Sequence, residues 1–168
     1  MAKNFNSQLS GQTGEHLVVA ELGRRGVVAT PFAGNVPDID VLAYANGKSL
    51  PIQVKALRKG EISTNGNIYL DIRFDGDTQI IDGKSEEIDR ELVFVLVKIG
   101  KHYGEDDFFI FNQGVVQDLI FREYSKFLDK HNGIRPRNPR TTHCAYHVKD
   151  VVEYRDNWDL IFERLGMD

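Results

Sequence analysis

Two aspartates, a glutamine and a lysine fall close together in residues 38–55: Asp38, Asp40, Gln53 and Lys55. Carboxylate, amide and main-chain carbonyl oxygens are the ligands a hard cation such as Mg²⁺ takes, with water filling the remaining positions. Asp40 can supply the carboxylate, Gln53 its amide oxygen and Val54 its main-chain carbonyl. Lys55 adds a positive charge that can orient a water or hydroxide and stabilise a developing phosphorane. A hydrated strand edge explains one or two such polar residues. A lysine inside an otherwise apolar strand, beside a carboxylate-bearing strand, is harder to explain that way.

Positioning these groups takes two adjacent strands. Asn46-Gly47 lies between two apolar runs and is a strong hairpin signal. It predicts strands over Asp38–Tyr44 and Pro51–Leu57. Side chains alternate with period two, so Asp38, Asp40 and Leu42 share one face, as do Gln53 and Lys55. Ile39, Val41, Ala43, Ile52, Val54 and Ala56 are free to face a core. Upstream, Leu17, Val18, Glu21 and Leu22 have helical spacing within 12–25, and Gly26 sits where a C′ glycine belongs. Val27–Phe32 is β-rich and a loop, Ala33–Pro37, follows. The first 57 residues therefore read helix, strand, strand, hairpin, strand.

The remainder continues as α/β. Ile68–Phe74 alternates as a strand. Residues 75–90 are acidic and turn-rich, which predicts a long loop with a short helix. Leu92–Ile99 is a near-continuous apolar run suited to a strand covered on both faces. Phe108–Phe111 predicts another strand, and Val116, Leu119, Ile120, Tyr124 and Phe127 predict a helix reaching Lys130. Residues 131–142 have turn composition. Trp158, Ile161, Phe162 and Leu165 share a face of a last helix over Asn157–Leu165.

Gly14-Glu15 on the first helix, Pro37-Asp38-Ile39-Asp40 entering a strand and Gln53-Val54-Lys55 on the next resemble the motif of the PD-(D/E)XK nuclease superfamily, which includes restriction endonucleases and archaeal Holliday-junction resolvases. The resemblance is specific over residues 11–57. It implies an α/β restriction-endonuclease-like core, a helix followed by a β-meander with further strands and flanking helices, forming one nuclease-like domain over 1–168. It implies metal-dependent hydrolysis of phosphodiesters in nucleic acid, most readily DNA, with Mg²⁺ as cofactor and Mn²⁺ as a substitute. Residue by residue, Glu15 matches the helix glutamate and Asp40 the metal-binding aspartate, with Asp38 its competitor after the proline. Gln53 stands at the D/E position and Lys55 is the lysine. Glutamine there is a departure from the usual acid, and it removes one negative charge from the metal site. A homodimer is compatible with this reading, because two strands need two sites.

Composition sets the bounds. Of 168 residues, 41% are hydrophobic and 27% charged, which excludes disordered and collagenous chains. No apolar run approaches the roughly 18 residues of a spanning helix, so no membrane role is expected. The first ten residues carry no apolar signal segment, and Cys144 is the single cysteine, so a reducing cytoplasm is expected. Net charge is −4, against a broad basic face. The charge is uneven: residues 1–60 hold 7 Lys and Arg against 4 Asp and Glu, whereas 61–107 hold 5 against 12.

Other readings stand beside this one. A nuclease-like module that binds nucleic acid or a protein partner without cutting fits the glutamine and the negative charge. An assembly subunit using the acidic 75–90 segment is a third class. His143, Cys144 and His147 suggest zinc only weakly, since a structural site usually needs four ligands; a strand with a buried thiol is the simpler reading. Arg135, Arg137 and Arg140 in the Pro-rich turn can grip phosphates or simply be solvated. Trp158 is expected to pack, with base stacking the lesser alternative. Gly11 and Gly14 do not make a dinucleotide fingerprint, because no strand precedes them.

Overall fold

The computed structural model describes residues 2–32 and 39–167, with side chains from Phe5 onward. In chain order the elements are α1 (Ala2–Arg24), β1 (Val28–Pro31), β2 (Val41–Ala45), β3 (Lys48–Leu57), β4 (Ile62–Asn65), β5 (Leu70–Asp75), β6 (Thr78–Lys84), β7 (Val93–Lys98), β8 (Asp107–Asn112), α2 (Gln113–Lys130), β9 (His143–Tyr146) and α3 (Asp159–Leu165). Short 3-10 turns cover Gly66–Ile68 and Val148–Tyr154. The chain divides into two compact units, 1–60 with 92–112 and 151–168, and 61–91 with 113–150.

The first unit is a five-stranded sheet in the order β1-β2-β3-β7-β8. β1, β2 and β3 form the expected antiparallel meander. Its hairpin turn places Asn46 at φ 50° and Gly47 at φ 76°, the double positive φ that a two-residue turn needs to match strand twist. β7 pairs parallel with β3, and β8 returns antiparallel beside it. Val93, Val95 and Val97 join Val41, Ala43, Ile52 and Val54 in one core, closed by Val18 and Leu22 of α1 and by Trp158, Ile161 and Leu165 near the C-terminus. Phe94 and Leu96, on the other face of β7, are equally buried, so that strand is covered on both sides as its apolar run predicts. Trp158 packs against Phe108, with ring centres 5.3 Å apart.

In the second unit, β5 and β6 form a hairpin, β4 pairs with β9, and α2 contributes Val116, Leu119, Ile120, Tyr124 and Leu128 to the buried interior. Three expectations need correction here and in α1. Residues 75–90 contain strand β6 rather than a long loop with a short helix; the exposed acids Asp75, Asp77 and Asp82 hide the run Gln79-Ile80-Ile81 that seats it. The strand expected over 68–74 is shifted to Leu70–Asp75, after a 3-10 turn, and the polar strand β4 has no apolar alternation to announce it. The first helix begins at Ala2 rather than residue 12, because residues 5–9 are exposed and so carry no periodicity. The other boundaries move by a few residues.

The helix end is as expected: Val27 N–H bonds the Leu22 carbonyl at 3.0 Å around Gly26 at φ 80°. Its docking on the sheet depends on a different glycine. A Cβ on Gly14 would lie 2.5 Å from the Ala56 Cβ and 3.6 Å from Val54 Cγ1, so α1 crosses β3 closer than any side chain permits. Gly11, one turn earlier, faces open space. Two glycine-to-alanine changes on one helix should therefore have opposite signs. Gly14→Ala should cost about 1–3 kcal/mol through overpacking, whereas Gly11→Ala should stabilise by up to about 1 kcal/mol through helix propensity. Urea unfolding of both variants measures this, and a stabilised Gly14→Ala would disprove the close approach.

Candidate active site

The hydrogen-bond ladder between β2 and β3 starts at Val41 opposite Ile52. Asp40 stands just outside it, where the two strands separate. Its N–H donates to the Ile52 carbonyl at 3.0 Å and its own carbonyl accepts from Phe32 N–H at 2.9 Å. Its carboxylate Oδ2 accepts the Val54 N–H at 2.8 Å. A side chain has thus taken the place of a backbone acceptor at this edge. A strand residue directs its N–H and C=O to the same neighbour. The Val54 carbonyl therefore points to the edge that carries the Asp40 carboxylate.

The register continued by one residue sets Asp40 opposite Gln53. Ile52 and Val54 face the core beneath α1, so Gln53 and Lys55 project from the other face, as the alternation predicts. Lys55 is exposed. Gln53 is half-buried, and its Oε1 is fully buried with no hydrogen-bond partner. An amide oxygen held out of water with its lone pairs unused is an oxygen donor of the kind a hard cation takes.

Glu15 follows Gly14, so the close crossing that Gly14 allows carries Glu15 to this edge. Its position also rules out the helix N-terminus as the reason for a glutamate here, because it lies in mid-helix and is half-buried. Burial pushes its carboxyl pKa up, and the Asp40 charge pushes it further; His16 partly opposes both. Two carboxylates therefore share a partly desolvated space, an arrangement that a bound cation relieves.

A groove beside Glu15 is lined by Gln8, Gln12, Leu9 and Phe32. The sequence reading missed the two glutamines, although their spacing of seven and three residues before Glu15 puts them on its helix face. Asp38 lies outside the described residues. Among the described residues no three His, Cys, Asp or Glu side chains cluster to hold a metal; an oxygen set of Asp40, Glu15, Gln53 and the Val54 carbonyl has only two members of that kind. Arg135, Arg137 and Arg140 belong to the second unit. On β9, His143 is exposed while Cys144 is half-buried, and burial pushes the Cys144 thiol up to about 11. It is protonated at neutral pH, which suits a packing thiol rather than a nucleophile. Among the described residues no helix is long and apolar enough to cross a membrane.

No protein-family model matches the chain, and no curated protein does. Among solved structures the chain is similar to a bacterial homing endonuclease, I-Ssp6803I, with a TM-score of 0.54, 13% sequence identity and 95% coverage of each chain. The likeness spans both units and is one of fold: a mixed α/β architecture, multi-stranded with flanking helices, shared with a nuclease.

The Glu15 shift has a thermodynamic sign. A carboxyl whose pKa rises on folding binds more protons folded than unfolded, so stability falls as pH rises from its unfolded pKa through its folded pKa. Glu15→Gln removes that titration. Its melting temperature should exceed the parent's at neutral pH, and the difference should close below about pH 4, where Glu15 is neutral in both states. A pH-independent difference would show that the Glu15 pKa is not raised on folding.

Proposed function

We propose that this chain is a metal-dependent nuclease of the PD-(D/E)XK type, acting on DNA, with Mg²⁺ as its cation and Mn²⁺ as a substitute. In this reading the whole chain, 1–168, serves as one nuclease-like domain in the cytoplasm. The observation that carries the reading is the edge between β2 and β3. There the Asp40 carboxylate is fixed by the Val54 N–H, and Glu15 is held against its charge. The unpartnered Gln53 amide oxygen on the adjoining strand supports it. So does the fold shared with a homing endonuclease.

The residues fit a hard cation by type. Asp40 and Glu15 would give it charge, and the Val54 carbonyl and Gln53 Oε1 would complete the protein's share of its oxygen shell. A divalent ion in such a shell polarises a phosphoryl oxygen and lowers the pKa of bound water. Lys55, on the face it shares with Gln53, orients the attacking water and donates to the phosphoryl oxygens as charge builds on them. The water oxygen bonds to phosphorus as the bond to the leaving sugar oxygen breaks, with the water's proton released to solvent and the leaving oxygen protonated from solvent. The Asp40–Val54 hydrogen bond keeps the carboxylate aimed before substrate arrives, so no reorganisation is needed at the moment of reaction. A binding module without cleavage is the second reading. Gln53 favours it, because a neutral ligand in place of an acid weakens cation binding.

Lys55→Met separates binding from chemistry. An ammonium is not a ligand of Mg²⁺, so metal affinity should be unchanged or slightly higher. Single-turnover cleavage should fall by roughly a hundred- to a thousand-fold, the usual effect of removing one positioned electrostatic group. Asp40→Ala should abolish Mg²⁺-dependent cleavage of plasmid and linear DNA with the fold retained by circular dichroism. Normal cleavage by either variant would defeat this mechanism.

Gln53→Glu restores the acid. Calorimetric titration should find tighter divalent binding, with activity kept or raised. Loss of metal binding in this variant would assign the amide a packing role instead.

A further inference from the structure

Residues 130–149 hold five Lys and Arg and neither Asp nor Glu, within a chain of net charge −4. At their centre is the loop 135–142. Its composition is that of a flexible turn, yet it is fastened from below. Gln79 on β6 is only 3% exposed. Its Nε2 donates to the carbonyls of Pro139 at 2.5 Å and Thr141 at 3.0 Å. Its Oε1 accepts the Tyr124 hydroxyl at 2.5 Å. Asn138 closes the turn, its Oδ1 accepting Arg140 N–H at 3.1 Å and its carbonyl accepting Thr141 N–H at 3.2 Å.

The three arginines are not equivalent. The Arg135 guanidinium lies 4.6 Å from the Tyr124 ring centre and 4.8 Å from that of Phe127, with its Nε buried. It is part of the packing. Arg140 rests on the Phe74 ring at 5.2 Å and stays exposed, so one face is fixed while its N–H edge is open to solvent. Arg137 is exposed in the same loop. Among the described residues, neither Arg137 nor Arg140 forms an ion pair.

We propose that loop 135–142 is a pre-organised contact surface for the phosphate backbone of nucleic acid. Arg137 and Arg140 make the contacts, Arg135 anchors the loop, and Gln79 is the positioning residue. The proposal rests on the nuclease reading, whose substrate is that polyanion. Guanidinium forks match phosphate oxygens bidentately, and a stacked arginine loses little freedom when it binds one. A loop already held by Gln79 has little entropy left to lose on association. Each phosphate neutralised releases counterions, which gives the surface a signature in salt.

The test uses the full chain carrying Asp40→Asn, which binds without cutting, and a fluorescent DNA duplex in metal-free buffer. Anisotropy titrations across salt concentrations give log Kd against log salt. Arg137→Gln and Arg140→Gln should each reduce the slope by about one unit. Arg135→Gln should keep the slope and lower the melting temperature. Gln79→Met, of similar volume, should keep the slope but weaken binding by about tenfold, since the loop must then be ordered on binding. Hydrogen exchange of the 133–142 amides should also quicken in that variant. Unchanged slopes in both Arg137→Gln and Arg140→Gln overturn the contact surface. Parent affinity and parent exchange in Gln79→Met overturn the positioning role. The parent chain keeps the two readings apart. Arginine-dependent binding without Mg²⁺-dependent cleavage defeats the nuclease reading alone. Cleavage with arginine-independent binding defeats the loop assignment alone.

Discussion

One hydrogen bond organises the first unit's candidate site: the Val54 N–H donated to the Asp40 carboxylate. It lies where the β2–β3 ladder stops, and it spares buried Val54 an unpaired N–H on the side of β3 that β2 no longer covers. The same bond fixes where the acid points, and strand geometry then turns the Val54 carbonyl toward that acid. Support for the backbone and placement of a charge are therefore one feature. Removing the carboxylate would leave the Val54 N–H without its acceptor as well as removing the charge.

The site is locally unfavourable, and its surroundings compensate. Glu15 resists ionisation because it is partly desolvated and faces Asp40, and Gln53 keeps a buried oxygen without a partner. Conflicts of this kind collect at functional positions, where local consistency is given up for chemistry. Here they sit beside a core of Val18, Leu22, Val41, Ile52, Val93 and Val95 that is closed to solvent. Gly14 connects the two, because the helix that completes the core also carries Glu15. A larger residue there would lift both the packing and the acid away from β3.

What the sequence made legible follows from what burial imprints on it. The meander, its Asn46-Gly47 turn and the two faces of β3 were readable because half-buried strands alternate and the turn needs two residues at positive φ. Of the residues in the Gly-Glu, Asp and Gln-x-Lys pattern, Glu15 and Asp40 lie within electrostatic reach of each other and Gln53 stands opposite Asp40. Residues 5–9 of α1 left no apolar stripe because their side chains are exposed. β6 was obscured by acids on its solvent face and at its turn. β4 was invisible because its partner supplies the hydrogen bonds while its own side chains are mostly polar. The Asp40–Val54 bond was beyond sequence reasoning, since it depends on where a ladder stops rather than on which residues compose it.

The parallel pairing of β3 with β7 has a consequence for how the chain is made. Residues 52–57 find their partners at 93–98, so the central pairing of the sheet must close a loop of about forty residues. During synthesis the meander and α1 emerge first, with the β7-facing edge of β3 still open. Such an edge is a template for strand addition by a neighbouring nascent chain until β7 arrives. The polar residues on that strand, Gln53 and exposed Lys55, then act as gatekeepers: a cation repels its own copy in the next chain, so Lys55 guards the unfinished sheet against aggregation.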